Sequence, residues 1–197
     1  GTNRDRFLAS LGLAQNPPGP VSWYTFEETT ATNLAAEGIE AIRAIRLVNW
    51  FKYPDNIEDC WLMLPKTDSA AECSPPHLIQ NGLYAVESAL DTLWQLKLIG
   101  TDDRAHMDLE KGRPEINEQY RVHFIAEQRQ AIQKLPTTAV AGPENDAVFF
   151  RMLQIQTDKN SPPEKIIVTS TVQWQSREKI YEISLSTTFT NHRTSTP

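Results

Sequence analysis

The longest stretch with a regular apolar rhythm runs from about Phe26 to Phe51. Small or apolar residues recur at Ala31, Leu34, Ala35, Gly38, Ile42, Ile45 and Val48, the three-and-four spacing of one helical face. Ile39 and Ala41 widen that face, whereas Glu37, Glu40, Arg43, Arg46 and Asn49 fall largely outside it. Thr29 or Thr30 suits a late cap, and Glu27 and Glu28 suit a first turn near its positive dipole end. Such a helix is roughly 35–40 Å long. Its predicted packing stripe is Leu34, Ala35, Gly38, Ile42, Ile45 and Val48.

From residue 52 to about 81 no period is sustained, and Pro54, Pro65, Pro75 and Pro76 interrupt it. This predicts a long loop, a feature that in a compact domain is functional or specially constrained. Strand-like runs follow over Gly82–Ala89, Thr92–Ile99 and Gln119–Ile125; Ala126–Leu135 reads as either a helix or a hairpin partner. The end of the chain gives the firmest β signal. Ala147–Thr157 is dense in apolar residues, a turn falls around Asp158–Pro163, and Ile166, Val168, Ser170, Val172 and Trp174 alternate strictly. After the polar turn Gln175–Glu178, Ile180–Phe189 completes a hairpin rich in β-branched and aromatic residues. The tail Asn191–Pro197 is polar and expected to fray. One helix, a long loop and then a meander of strands predict an α+β fold, a long N-terminal helix packed on an antiparallel sheet.

Composition adds compartment and partners. The 197 residues carry 19 Lys and Arg against 25 Asp and Glu, a net charge of −6, which argues against a nucleic-acid partner because a phosphate-binding surface needs dense cations. Cys60 and Cys73 are the two cysteines. They lie in one irregular Pro/Ser/acid-rich segment, which favours a disulfide over two unrelated thiols, and a bridge implies an oxidising compartment. No run of 18 apolar residues occurs, so no membrane span is expected in the chain as it stands. Character changes abruptly at Pro17-Pro18-Gly19-Pro20; residues 1–20 read as a tag, linker or separate segment, and 21–197 as one globular domain.

Candidate chemistry is thin. Asp102, Asp103, His106, Asp108 and Glu110 are metal-capable types without the spacing of a zinc or calcium motif, and Asp158, Asn160 and Glu164 fit a plain turn better than a calcium loop. Nucleophile elbows, phosphate-cradling loops and paired-histidine zinc motifs are absent. His123 reads as a sheet residue, Trp50 and Trp174 as core, and Trp61 and Trp94 as a possible binding surface. No catalytic residue, metal ligand or cofactor site is predicted.

The helix segment from Ala31 to Trp50, with Glu37-Gly38-Ile39-Glu40, spaced arginines and Asn49-Trp50, resembles the exposed half of the first helix in bacterial type IV prepilin-like proteins. Phe149-Phe150-Arg151 with Ile155, then Val168–Trp174, then Ile183–Asn191, resemble the last strands of minor pilins and pseudopilins. The resemblance covers about a third of the chain, in the family's order. It implies a structural subunit of a type IV pilus or a type II secretion-like pseudopilus, partnered by other pilin subunits. It also implies an extracellular or periplasmic location, and a hydrophobic helix before this one that anchors the subunit in the inner membrane. Residues 1–20 stand where that helix belongs and do not match it. On this reading the small residues Ala36, Gly38 and Ala44 allow close contact with a neighbour's helix, or equally with the chain's own sheet. The cysteine-closed loop and segment 100–146 become exposed faces for adhesion or partner choice. The alternatives are a free secreted module that binds a small ligand or glycan, and a hydrolase if His106 or His123 met two acids in a cleft.

Overall fold

The computed structural model describes residues 20–65, 72–88, 94–125, 130–132, 148–158, 160 and 163–191. The chain divides into two units, Gly1–Thr30 and Ala31–Pro197. Of the proposed segment 1–20, residues 1–19 lie outside the described residues. Helix α1, Pro20–Lys52, is longer than the periodicity predicts. Within the first unit its Thr30 hydroxyl donates to the Phe26 carbonyl at 2.9 Å.

In the second unit α1 buries Ala31, Leu34, Ala35, Gly38, Ile39, Ala41, Ile42 and Ile45. Each large aliphatic residue among these contributes about 1.5–3 kcal/mol by leaving water. They meet a five-stranded sheet of order β2-β1-β5-β6-β7, built from β1 (Gly82–Ser88), β2 (Trp94–Gly100), β5 (Phe149–Thr157), β6 (Lys165–Ser176) and β7 (Lys179–Thr190), every neighbouring pair antiparallel. The α+β architecture with a helix on an antiparallel sheet is therefore present. Alternation sets the register: Ile166, Val168, Ser170, Val172 and Trp174 of β6 are buried, as are Phe149, Arg151, Leu153 and Ile155 of β5. The β6–β7 turn uses Arg177 at φ 48° and Glu178 at φ 68°, a geometry that two-residue hairpins normally give to Asn and Gly.

The face of the sheet away from α1 is covered over its β1–β5 half. Residues 101–122 lie there as a 3₁₀ turn (Asp103–Ala105), helix α3 (Pro114–Asn117) and a second 3₁₀ turn (Glu118–Tyr120). Ala105, Met107 and Tyr120 pack with Leu83, Ala85 and Met152, and the Tyr120 hydroxyl donates to the Ala105 carbonyl at 2.7 Å. This part of segment 100–146 is thus a third layer, buried at Ala105, Met107 and Tyr120 and exposed on its outer side at residues 101–104 and 110–112. A separate two-stranded ladder, β3 (His123–Ile125) with β4 (Gln130–Ile132), realises the hairpin reading of the following stretch. Residues 126–129 and 133–147 lie outside the described residues.

The connection between helix and sheet is ordered over its described parts. It holds the one-turn helix α2 (Ile57–Cys60), and Cys60 and Cys73 form a disulfide with Cα atoms 5.0 Å apart. Leu64 and Ile79 donate backbone bonds to His77 and Leu62, at 2.9 and 2.8 Å, so the loop carries a short ladder of its own.

Candidate assembly surface

Helix α1 has two faces with different work. On the inner face, a Cβ added to Gly38 meets Ser170 Oγ at 2.5 Å and Leu153 Cδ2 at 2.8 Å. Glycine is required there because the helix backbone rests on β5 and β6. One turn earlier, the fully buried Arg151 of β5 donates from Nη1 to the Leu34 carbonyl at 3.2 Å, and Glu37 Oε2 lies 3.6 Å from the same nitrogen. Burial raises the Glu37 pKa above the usual carboxylate range, and the neighbouring guanidinium pulls it back only in part. Burial likewise lowers the Arg151 pKa against the opposing pull of Glu37. Glu37, placed outside the stripe by its spacing, therefore belongs to the contact with the sheet.

The far end of the helix binds the loop. Asn49, also placed outside the stripe, is buried, and its Nδ2 donates to the Trp61 and Met63 carbonyls at 3.2 and 2.9 Å. Arg46 donates to the Thr190 carbonyl at 2.8 Å while its guanidinium stacks within 5.2–5.4 Å of the Phe189, Trp61 and Trp50 rings. Trp61 is wholly buried, with Nε1 donating to the Pro163 carbonyl at 2.9 Å; it is a core residue, not a binding surface. Trp94 is half-buried against the helix-side core. Trp174 is buried as expected, whereas Trp50 is 44% exposed and is not core. Asn191, expected to fray, donates instead to the Glu58 carbonyl at 2.8 Å; residues 192–197 lie outside the described residues.

The outer face of α1 presents Asn33, Ala36, Glu40, Arg43, Leu47 and Trp50, all exposed, at alternating spacings of three and four. Glu40 and Arg43 form an ion pair at 3.6 Å with both side chains more than half exposed, worth only a few tenths of a kcal/mol. Below it, Leu47, Trp50 and Phe51 expose apolar surface. Of the six predicted stripe residues, Leu34, Ala35, Gly38, Ile42 and Ile45 are buried on the inner face and Val48 is half-buried at its margin. Of the three small residues, Gly38 faces the sheet, Ala36 faces out and Ala44 sits between.

Two of the metal-capable carboxylates, Asp102 and Asp108, are paired locally. Asp102 caps the 3₁₀ turn and pairs with Arg104 at 2.8 Å, and Asp108 pairs with Lys111 at 3.0 Å; each cation holds its carboxyl below the usual range. Asp103, His106, Asp108, Lys111 and Arg113 line a shallow depression of about 200 Å³. Asp158 accepts backbone N–H bonds from Asn160, Glu164 and Lys165, the work of a turn residue. Among the described residues no three His, Cys, Asp or Glu side chains group as metal ligands, and no helix is long and apolar enough to cross a membrane.

Comparison with family models, curated proteins and solved structures gives no match.

Proposed function

We propose that this chain is the sheet-bearing part of a type IV pilin-like subunit. It assembles non-covalently with other pilin subunits into a cell-surface filament or a type II secretion-like pseudopilus. The observation that carries the reading is the two-sidedness of α1. One stripe is clamped to the sheet through Gly38, Arg151 and the buried aliphatic residues. The opposite stripe, with Ala36 in its upper part and Leu47 and Trp50 at its foot, is exposed at the spacing with which one helix meets another. The disulfide fits an oxidising extracellular or periplasmic setting. On this reading a preceding hydrophobic helix holds the subunit in the inner membrane before assembly, and the disulfide-closed loop offers a surface for adhesion or partner choice.

The test is Ala36→Arg in the cell that makes the protein. The substitution leaves the inner face untouched, so the purified domain keeps its helical and β content and its disulfide. Incorporation into sheared surface filaments, or secretion through the pseudopilus, is expected to fall to background. Normal incorporation of the Arg variant, or recovery of the native protein only as a free secreted monomer, refutes the reading. The second result favours the ligand- or glycan-binding module.

A further inference from the structure

The two edges of the sheet match each other. Among the described residues neither β2 nor β7 has a hydrogen-bonded neighbour on its outer side, and β7 runs twelve residues without a proline. Natural proteins block such edges, because unpaired N–H and C=O groups template a further strand. Four antiparallel steps separate β2 from β7 in the order β2-β1-β5-β6-β7, so the two edges point the same way. Copies in one orientation, as in a filament, can therefore bring β7 of one copy against β2 of the next as a parallel pair.

Side chains on both faces agree with that pairing. Toward α1, β7 carries Tyr181, Ile183 and Leu185, only partly buried against the helix-side clusters. On the same side β2 carries Leu96, partly buried, and Leu98, 48% exposed and paired with Tyr84. On the far side β2 carries Lys97, opposite Ala85, and β7 carries Glu182, opposite Gln173. Placing Glu182 beside Lys97 of the next copy sets Tyr181 beside Leu96 and Ile183 beside Leu98, with opposite charges on one face and apolar contacts on the other.

We propose that copies of this chain join head to tail by β7–β2 pairing, continuing the sheet from subunit to subunit. The register aligns Lys179–Ile183 with Trp94–Leu98 over about 17 Å, stopping short of the bulge where β2 skips from Leu98, opposite Tyr84, to Gly100, opposite Leu83. A heterologous contact of this kind leaves a free edge on each copy and propagates, as an open filament unless its rotation closes a ring. It is too small to hold a dimer by itself, since stable interfaces bury about 1,200–2,000 Å². The contact thus rests on the assembly reading, in which neighbouring helices hold copies at high local concentration.

The experiment uses two variants of the purified protein, Gln95→Cys and Ile180→Cys, neighbours on the far side in this register. They are mixed at about 1 mM, a concentration that stands in for tethering, and mildly oxidised. A mixed disulfide dimer is expected, in excess of the product from either variant alone or from Gln95→Cys with Thr188→Cys. Glu182→Lys in the Ile180→Cys copy is expected to lower the yield about fivefold, and Lys97→Glu in the other copy to restore it. Absence of the mixed product, equal product with Thr188→Cys, or no response to the charge exchange overturns the pairing. Failure here alongside loss of incorporation in Ala36→Arg removes the sheet contact and leaves helix-mediated assembly standing.

Discussion

Gly38→Ala sets two magnitudes of opposite sign against each other. In an exposed helix the change is favourable by about 1 kcal/mol, because alanine costs less backbone entropy. Here the new methyl lands 2.5 Å from Ser170 Oγ and 2.8 Å from Leu153 Cδ2, both on buried strand residues. Relief requires the helix to lift or both side chains to turn, and overpacking of this kind costs about 1–3 kcal/mol, occasionally more. Lifting the helix also lengthens the Arg151 bond to the Leu34 carbonyl, 3.2 Å at present. The net expectation is a loss of about 1–2 kcal/mol in urea unfolding followed by circular dichroism. Ser170 Oγ is buried with no hydrogen-bond partner among the described residues, so Ser170→Ala alone is expected to be neutral or stabilising. Combined with Gly38→Ala it removes the nearer obstruction and recovers about 1 kcal/mol as a coupling between the two sites. A Gly38→Ala protein as stable as the parent, or strict additivity with Ser170→Ala, refutes the close approach.

Four further outcomes follow from the geometry. Asn49→Ala strands the Trp61 and Met63 carbonyls inside the loop and is expected to cost about 2–3 kcal/mol; amide exchange should accelerate over residues 57–64, and unchanged protection there contradicts the role. Reduction of Cys60–Cys73 is expected to cost about 3 kcal/mol yet leave the fold intact, because Asn49, Arg46 and Trp61 still hold the loop; loss of the native spectrum at low denaturant opposes this. Glu178→Gly relieves a left-handed backbone and is expected to stabilise by about 1 kcal/mol, read as a higher urea midpoint. For Glu37, the raised carboxyl pKa means that the folded state holds the proton to higher pH than the unfolded chain. Its contribution is therefore complete below the ordinary value of 4.5 and is lost as pH rises through the folded value. Relative to Glu37→Gln, the parent should lose stability between pH 4 and pH 7; a gain over that interval shows that attraction to Arg151 outweighs burial.

The helix and the terminal hairpin were legible because each keeps its period over many residues. The buried charge was also written in the chain. In Phe149-Phe150-Arg151-Met152-Leu153, alternation puts Arg151 on the face of Leu153, and Glu37 lies one turn beyond Leu34, where a long carboxylate reaches inward. The third layer had a subtler signal. Strand β5 is apolar on both sides, with Phe150 and Met152 opposite Phe149 and Leu153, and a strand apolar on both faces is covered on both. The cover itself, residues 101–122, has no period because it is made of single turns. Asn49 and Arg46 were misplaced for a related reason: each is polar on a helix face but is spent on loop and strand carbonyls that the sequence does not locate.

The central claim is that the outer face of α1 meets other subunits while its inner face stays on the sheet. A photo-crosslinking side chain placed at Ala36, and separately at Leu47, in cells making the full-length protein tests it most directly. The account predicts adducts with other filament subunits from both positions and none from Thr169, on the opposite side of the sheet near its centre. Cells in which neither helix position captures another subunit, while the protein is correctly folded and disulfide-bonded, contradict it.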